Sequence, residues 1–318
     1  MVVSAQTPGL VHAAFFYRDD SDYLGTLVPA VLEGIANGEP VLVTVPADKL
    51  ALLRDALGTT ADRVVMSDMA ELGRNPARTF PAFEELCDEH SGQRVRLIAE
   101  PVWPGGRSAD EYAACVQNEA LWNTAFAGRD VLTLCPYDKA RLPQSFIADA
   151  RMTHPLIWRG GTPVSSDHYA GENAYERYNQ LLPADPSAAT CSLETIADLS
   201  PARTFTTHYA ESMGLMGHRL GDLQLIVSEL ATNSLKYTPA GCRISLWRSD
   251  GDLVCQVSDG GRLDDRLAGR RLPDTRATGG RGLFLVTALA DLVRIHTSPD
   301  GTTIQVHLRL APPSAAVE

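Results

Sequence analysis

Apolar positions along this chain recur with two different rhythms, and the places where the rhythm changes mark its elements. Between residues 10 and 155, short continuous apolar runs alternate with longer segments whose apolar positions return every three or four residues. The runs at 10–17, 40–45, 64–66, 95–99 and 131–135 predict strands of the kind buried in parallel sheets. The segments at 20–37, 48–57, 76–90, 109–125 and 143–152 predict helices, with Gly38 ending the first as a C′ glycine does. Such alternation predicts an α/β domain with a largely parallel sheet covered on both faces. Ligands in these folds sit beyond the carboxyl ends of the strands. Two polar, loop-starting stretches fall there: Glu100, Pro101, Trp103, Pro104 and Gly105, and Cys135, Pro136, Tyr137 and Asp138.

A stretch at 159–190, rich in Gly, Pro, Ser and Asp around one amphipathic piece at 172–182, reads as a linker. Beyond it, Leu223, Ile226, Val227, Leu230, Ser234 and Leu235 form one apolar stripe, with Gly221 and Pro239 near the ends of the helix they predict. Glu229 and Asn233 are i,i+4 neighbours on that helix and project from one face; Lys236 follows by three. An acid, an amide oxygen for Mg²⁺ and a cation are the parts of phosphoryl transfer, which works mostly by positioning and charge neutralisation. A solvated acid and a hydrogen-bonded amide would give the same pattern.

The order of the next stretches distinguishes the two. Asp259 and Gly261 close an apolar strand, placing a carboxylate for an exocyclic amine beside a backbone that a purine can approach. Gly280, Arg281, Gly282 and Leu283 open an apolar helix, whose first N–H groups would face phosphate. Gly301 and Thr302 then lie in a terminal strand pair, where the hydroxyl would reach the same base edge.

E-x-x-x-N, D-x-G, G-x-G-L and G-T in this order resemble the ATPase domain shared by histidine kinases, gyrase and heat-shock chaperones, a two-layer α/β sandwich. With residues 200–203 ahead of it, the stretch 191–310 is most similar to anti-sigma-factor serine kinases. The resemblance implies that Glu229 is the general base, Asn233 the Mg²⁺ ligand, Lys236 a phosphate contact, Asp259 the adenine anchor and Thr302 a second adenine contact. It also implies that Gly261, Gly280, Arg281, Gly282 and Leu283 surround the nucleotide. Residues 262–278 would be the lid. The fuller family form carries a further glycine after D-x-G, where this chain has Arg262 and Leu263, and the lid geometry is where that departure bears.

The first half resembles the sensory domain called MEDS, a divergent RecA-like fold, over about residues 10–155. Residues 12–17, 38–43, 100–101 and 135–138 carry the resemblance. His12, Glu100, Glu119, Asp138 and His154 are its candidate sensory site, although core packing or capping accounts for each equally well. No G-x-x-x-x-G-K-[ST] occurs, so this half lacks the phosphate cradle of a working P-loop.

Composition narrows the classes. A chain of 318 residues predicts two ordinary domains, here 1–158 and 191–310 around the linker, with 311–318 a Pro- and Ala-rich tail. A net charge of −11 argues against direct nucleic-acid binding as the main business. Six cysteines without C-x-x-C spacing indicate neither a zinc site nor a redox pair, and Cys135 reads as a small buried hydrophobe. With no signal-peptide pattern and no spanning apolar run, the expectation is a cytoplasmic protein with no membrane attachment.

The function expected is a signalling regulator. It senses a small molecule or partner, binds ATP and Mg²⁺, and acts as a protein serine/threonine kinase on an anti-sigma-factor antagonist, with a sigma factor as the other partner. A homodimer is the default assembly. Two alternatives stand beside it: a soluble histidine kinase, and an ATP-dependent binding module without transfer. His208 lies too close to Glu229 for a separate dimerising hairpin to precede the ATPase domain, which disfavours it as a phosphoacceptor.

Overall fold

The computed structural model describes residues 9–273 and 280–310. Residues 1–8, the tail at 311–318 and part of the expected lid, 274–278, lie outside the described residues, as does Gly279. Internal contacts divide the chain after Tyr178.

In the first unit, strand β1 (Val11–Tyr17) leads to helix α1 (Asp20–Ala36), followed by β2 (Val41–Val45), α2 (Ala47–Leu57), β3 (Val65–Asp68) and the short α3 (Met69–Leu72). Then come α4 (Thr79–Glu89), β4 (Val95–Ala99), α5 (Ala109–Ala125), β5 (Val131–Asp138), α6 (Gln144–Thr153), β6 (Leu156–Arg159), β7 (Thr162–Ser165) and α7 (Gly171–Tyr178). The seven strands form one sheet in the order β3-β2-β4-β5-β1-β6-β7, parallel except for the terminal β6–β7 pair. The expected helix at 76–90 opens as a 3₁₀ turn at Pro76–Arg78, because Asn75 caps that turn and Pro76 lacks an amide proton.

Local sequence accounts for the main elements. Asp19 caps α1 by accepting from the Asp22 amide, and Tyr23, Leu27, Ala30 and Val31 bury one face of the helix. Ser108 and Glu111 make a reciprocal capping box at the start of α5. Where α1 passes β4, Gly34 makes room for the buried Arg96: a Cβ there would lie 2.9 Å from the Arg96 side chain. Arg96 donates to Glu39 at 2.6 Å, to Glu33 at 3.0 Å and to the Ala30 carbonyl at 2.7 Å, so its charge is paired inside the fold.

The stretch expected as a linker is partly structured. Its residues Thr162–Ser165 pair with β6, and Gly171–Tyr178 pack as a helix of the first unit. Ala189–Leu193 becomes β8, the edge strand of the second unit. Asn179 and Pro183 also belong there: the Asn179 amide exchanges hydrogen bonds with the Thr297 backbone, and the Pro183 carbonyl accepts from Gln305.

The second unit continues with α8 (Leu199–Ser212), α9 (His218–Tyr237), β9 (Cys242–Ser249), β10 (Asp252–Asp259), α10 (Arg281–Leu289), β11 (Leu292–Ser298) and β12 (Gly301–Arg309). Its five strands are antiparallel in the order β11-β12-β10-β9-β8. Alternate residues of the sheet, such as Ile244, Leu253, Cys255, Val257 and Val306, meet Leu223, Ile226, Val227 and Leu230 of α9 and Val286 of α10 in one core. Strand alternation and helical periodicity thus aim two apolar surfaces at each other, and a two-layer sandwich follows.

Candidate functional site: a nucleotide-sized cleft and a buried polar cluster

Between α9, the end of β10 and the start of α10 the second unit holds a cleft of about 510 Å³, within the range of small-molecule sites. Its wall includes Asn233 from α9, Asp259 and Gly261 from the strand end, Gly280, Gly282 and Leu283 from the glycine-rich stretch, and Thr302 from β12. Among the described residues, the wall does not include Glu229, Lys236 or Arg281. Lys236 is exposed and lies over the Tyr237 ring, 5.0 Å from its centroid. Arg281, the first residue of α10, is exposed as well.

Asp259 is held rigidly. One carboxylate oxygen accepts from Ser234 at 2.5 Å; the other accepts from the Gly261 amide at 2.7 Å and from Thr238 at 3.2 Å. These partners leave acceptor capacity on the oxygen that Ser234 contacts. Ser234 and Thr238 carry no separate motif signal in the sequence. Ser234 falls on the apolar stripe one turn before Thr238, and only the fold brings both hydroxyls beneath the strand end.

Thr302 pairs with Asp259 across the β10–β12 ladder. Its hydroxyl donates to the Gly261 carbonyl at 2.8 Å and accepts from the Leu263 amide at 3.1 Å. It therefore shapes the loop that follows Asp259, and its proton is committed there.

The glycine-rich stretch works through its lack of side chains. Gly280 caps α10 in the left-handed region at φ 86°. Gly282 brings the first turn of α10 against α9: a Cβ there would sit 2.5 Å from Glu229 Oε2 and 3.3 Å from Asn233 Nδ2. The half-buried Glu229 thus lies under the helix start, one turn from Asn233 in the wall. Beyond Gly261 the chain folds without regular structure through residue 273, and Leu263, Leu267, Leu272 and Pro273 add apolar surface to the cleft.

These residues fit a magnesium nucleotide. The fixed acceptor at Asp259 suits an amino-purine edge, while the side-chain-free start of α10 and the Asn233 amide are close enough to share one polyanion and its metal.

The first unit sorts its predicted residues into three places. His12, Glu119 and His154 converge with Cys135, all buried. The sheet order explains it: His12 on β1 pairs with Thr133 on β5, Cys135 lies two residues on and so faces the same side, and His154 immediately precedes β6 on the other flank of β1. Helix α5 covers this side, with Trp122 donating to Thr133 at 3.2 Å. Burial and the neighbouring His154 push His12 down to about 4, against the opposing pull of Glu119. Burial raises the Glu119 carboxyl, but the facing imidazoles of His12 and His154 outweigh it and hold it at about 2. Cys135 had read only as a packed hydrophobe, yet its Sγ lies 3.6 Å from His12 Nε2. Its thiol is pushed well above the usual range by burial.

Glu100 stands apart, at the carboxyl end of β4. It accepts from Tyr17 at 2.8 Å and from Tyr23 at 3.2 Å, and burial raises its carboxyl to about 7 against those bonds and the nearby Lys49. Asp138 is spent on its own turn, accepting from the Ala140 and Arg141 amides and from the Arg141 guanidinium at 2.5 Å.

Residues 11–155 match the family described as MEDS, the methanogen/methylotroph DcmR sensory domain, and residues 193–308 match the histidine kinase-like ATPase domain. The chain is therefore a MEDS sensory domain joined to an ATPase-type domain, a class whose ATPase unit generally binds ATP and magnesium. No curated protein matches it. Similar solved structures include the RsbU and RsbW domains of Rv1364c from Mycobacterium tuberculosis, at 20% identity and TM-score 0.32 over 42% of this chain and 36% of that one. The chain thus spans about a third of that relative's length. The SiaB–SiaC complex from Pseudomonas aeruginosa is similar at 12% identity, TM-score 0.30, over 44% and 95% of the two chains. The Acinetobacter baumannii histidine kinase AdeS is similar at 10% identity, TM-score 0.25, over 63% and 96%. Among the described residues, no helix is long and apolar enough to cross a membrane.

Proposed function

We propose that the second unit binds Mg-ATP in the cleft and transfers phosphate to a serine or threonine of an anti-sigma-factor antagonist, with the MEDS unit biasing that activity in response to a small molecule or partner. A sigma factor would be the competing partner. The observation that carries the reading is the Asp259 carboxylate, locked by Ser234, Thr238 and Gly261 in a nucleotide-sized cleft whose wall also holds Asn233 and the start of α10. The match of 193–308 to the ATPase family supports it.

In this reading Asp259 accepts from the adenine amine, and the amides at the start of α10 face the phosphates. Asn233 would hold the Mg²⁺, which supplies charge neutralisation at the phosphates when bound. Glu229 takes the proton of the partner's hydroxyl. Lys236, exposed at the end of α9, would reach phosphate by leaving the Tyr237 ring.

One observation favours a second reading, ATP-dependent sequestration of a partner without transfer. Glu229 lies against Gly282 beneath the helix start, and the cleft wall formed by the described residues does not include it. The histidine-kinase alternative is weaker. His208 is exposed on α8, and that helix is itself a layer of the ATPase unit, packed on α9.

The deciding experiment measures binding of a fluorescent ATP analogue with and without Mg²⁺ for wild type, Asn233→Ala and Asp259→Asn. Loss in both variants supports the site; tight binding unaffected by either overturns it. Phosphate on a serine or threonine partner that disappears in Glu229→Ala supports the kinase. Partner capture intact in Glu229→Ala supports sequestration. Acid-labile, base-stable label on the chain itself would indicate a histidine kinase.

A further inference from the structure

The buried cluster in the first unit has the donor set and proton arrangement of a metal centre. His12 Nε2, Glu119 Oε2, Cys135 Sγ and His154 Nε2 lie within 4.8 Å of one another. They come from β1, α5, β5 and the residue that ends α6.

The position of each imidazole proton follows from its partners. His154 Nδ1 lies 2.8 Å from the Ala150 carbonyl, which can only accept, so Nδ1 carries the proton. The Asn123 amide nitrogen donates to the Thr153 carbonyl at 3.2 Å, which turns its Oδ1 toward His12 Nδ1 at 3.3 Å and makes that nitrogen a donor too. With both rings neutral, both Nε2 atoms therefore present lone pairs, and both point at one carboxylate oxygen: Glu119 Oε2 is 3.3 Å from His12 and 2.9 Å from His154. Glu119 Oε2 and His154 Nε2 have no hydrogen-bond partner in this buried place. Lone pairs facing each other away from water are repulsive unless a cation lies between them.

We propose that His12, Glu119, Cys135 and His154 form a tetrahedral site for a divalent transition metal of the zinc class. Zinc bonds of about 2.0–2.1 Å to nitrogen or oxygen and about 2.3 Å to sulfur imply nitrogen–oxygen edges of about 3.3 Å and nitrogen–sulfur edges of about 3.6 Å. The His12–Glu119 separation of 3.3 Å and the His12–Cys135 separation of 3.6 Å have these lengths. The His154–Glu119 edge is shorter and opens by a few tenths of an ångström on binding. A mixed nitrogen, oxygen and sulfur set suits Zn²⁺ and disfavours Mg²⁺ or Ca²⁺, which take oxygen. The outer contacts, His154 to Ala150 and His12 to Asn123, are those that orient metal-bound histidines. Binding releases the Cys135 thiol proton to solvent, and the dication with one carboxylate and one thiolate is neutral, as a buried site requires.

The test uses the full chain, stripped with a chelator and titrated with Co²⁺ alone. One equivalent should bind, giving the intense visible bands of tetrahedral Co²⁺ and a near-ultraviolet thiolate-to-cobalt band, both removed by added Zn²⁺. Cys135→Ala should lose the thiolate band, while Cys115→Ala, a buried cysteine outside the cluster, should keep it. Glu119→Gln and His154→Ala should weaken binding at least about 100-fold, and Asn123→Ala about 10- to 100-fold. Uptake of no metal by folded wild type, as a proton shared between His154 and Glu119 would give, overturns the site. A thiolate band that persists in Cys135→Ala overturns it equally. Should the His154 variant fail to fold, the wild-type spectrum and Cys135→Ala still decide.

Discussion

A Cβ at position 282 would stand 2.5 Å from Glu229 Oε2, so the glycine at the start of α10 and the acid on α9 occupy adjoining space. The atom it would meet is the mobile end of a side chain, which can swing aside. Gly282→Ala is therefore expected to leave the melting temperature nearly unchanged while shifting Glu229 and Asn233. Affinity for a fluorescent ATP analogue should fall about tenfold, equivalent to about 1.4 kcal/mol. Unchanged affinity would mean that the contact has no part in binding.

Asp259→Asn should cost stability before any nucleotide is added. The carboxylate accepts from three donors, and an asparagine amide would turn its NH₂ toward at least one of them. Turned toward Ser234, the NH₂ meets a hydroxyl that can accept from it, so a loss of about 1 kcal/mol is expected as a charged acceptor becomes a neutral one, read by urea denaturation of the nucleotide-free chain. Ser234→Ala, which removes one donor and leaves no clash, should cost about 1 kcal/mol.

Arg96 offers a test of the first unit's core. Removing the guanidinium in Arg96→Ala leaves the largely buried Glu39 without its partner, at a cost of about 3–5 kcal/mol. A double variant, Arg96→Leu with Glu39→Leu, should recover much of that loss, because neither charge then remains inside. Equal denaturation midpoints for single and double variants would show that packing against Gly34, rather than charge pairing, dominates.

Glu100 should make stability depend on pH in a defined window. Burial raises its carboxyl from 4.5 to about 7, with Tyr17, Tyr23, Lys49 and Asp48 as its polar surroundings. Between those values the folded chain keeps a proton that the unfolded chain has released, so stability is greatest below about 4.5 and declines as pH rises through 7. The contribution lost is about 3 kcal/mol. Glu100→Gln should flatten this part of the profile when unfolding of the first unit is followed from pH 5 to 8. A profile identical to wild type would assign the slope to another group.

Much of the architecture was legible because it rests on short-range pattern. Apolar runs separated by helical stripes announced the parallel sheet of the first unit, and the stripe through Leu223, Ile226, Val227 and Leu230 announced α9. The glycine-rich boxes lay in an order that pointed to one cleft, and Asn233, Asp259, Gly261, Gly280, Gly282 and Thr302 all line it. Less legible was the 159–190 stretch, whose amphipathic piece at 172–182 was visible but whose Gly and Pro content masked the return strand of a hairpin and an edge strand. The helix packs on α5 and the edge strand pairs with β9, both distant in sequence, and composition does not record such pairing.

By itself the sequence determined the alternation of elements and pointed to some of the residues that face the nucleotide-sized cleft, since periodicity and glycine placement are local properties of the chain. It did not point to Ser234 or Thr238, and it included Glu229, Lys236 and Arg281, which the wall formed by the described residues does not. Only the tertiary structure decided which distant side chains meet. It brought Cys135 to His12, Glu119 and His154 while sending Glu100 to Tyr17 and Tyr23 and Asp138 to its own turn. The reason is topological: the strand order β5-β1-β6 makes neighbours of residues far apart in the chain, and the covering of that sheet face by α5 removes the water that would otherwise satisfy them.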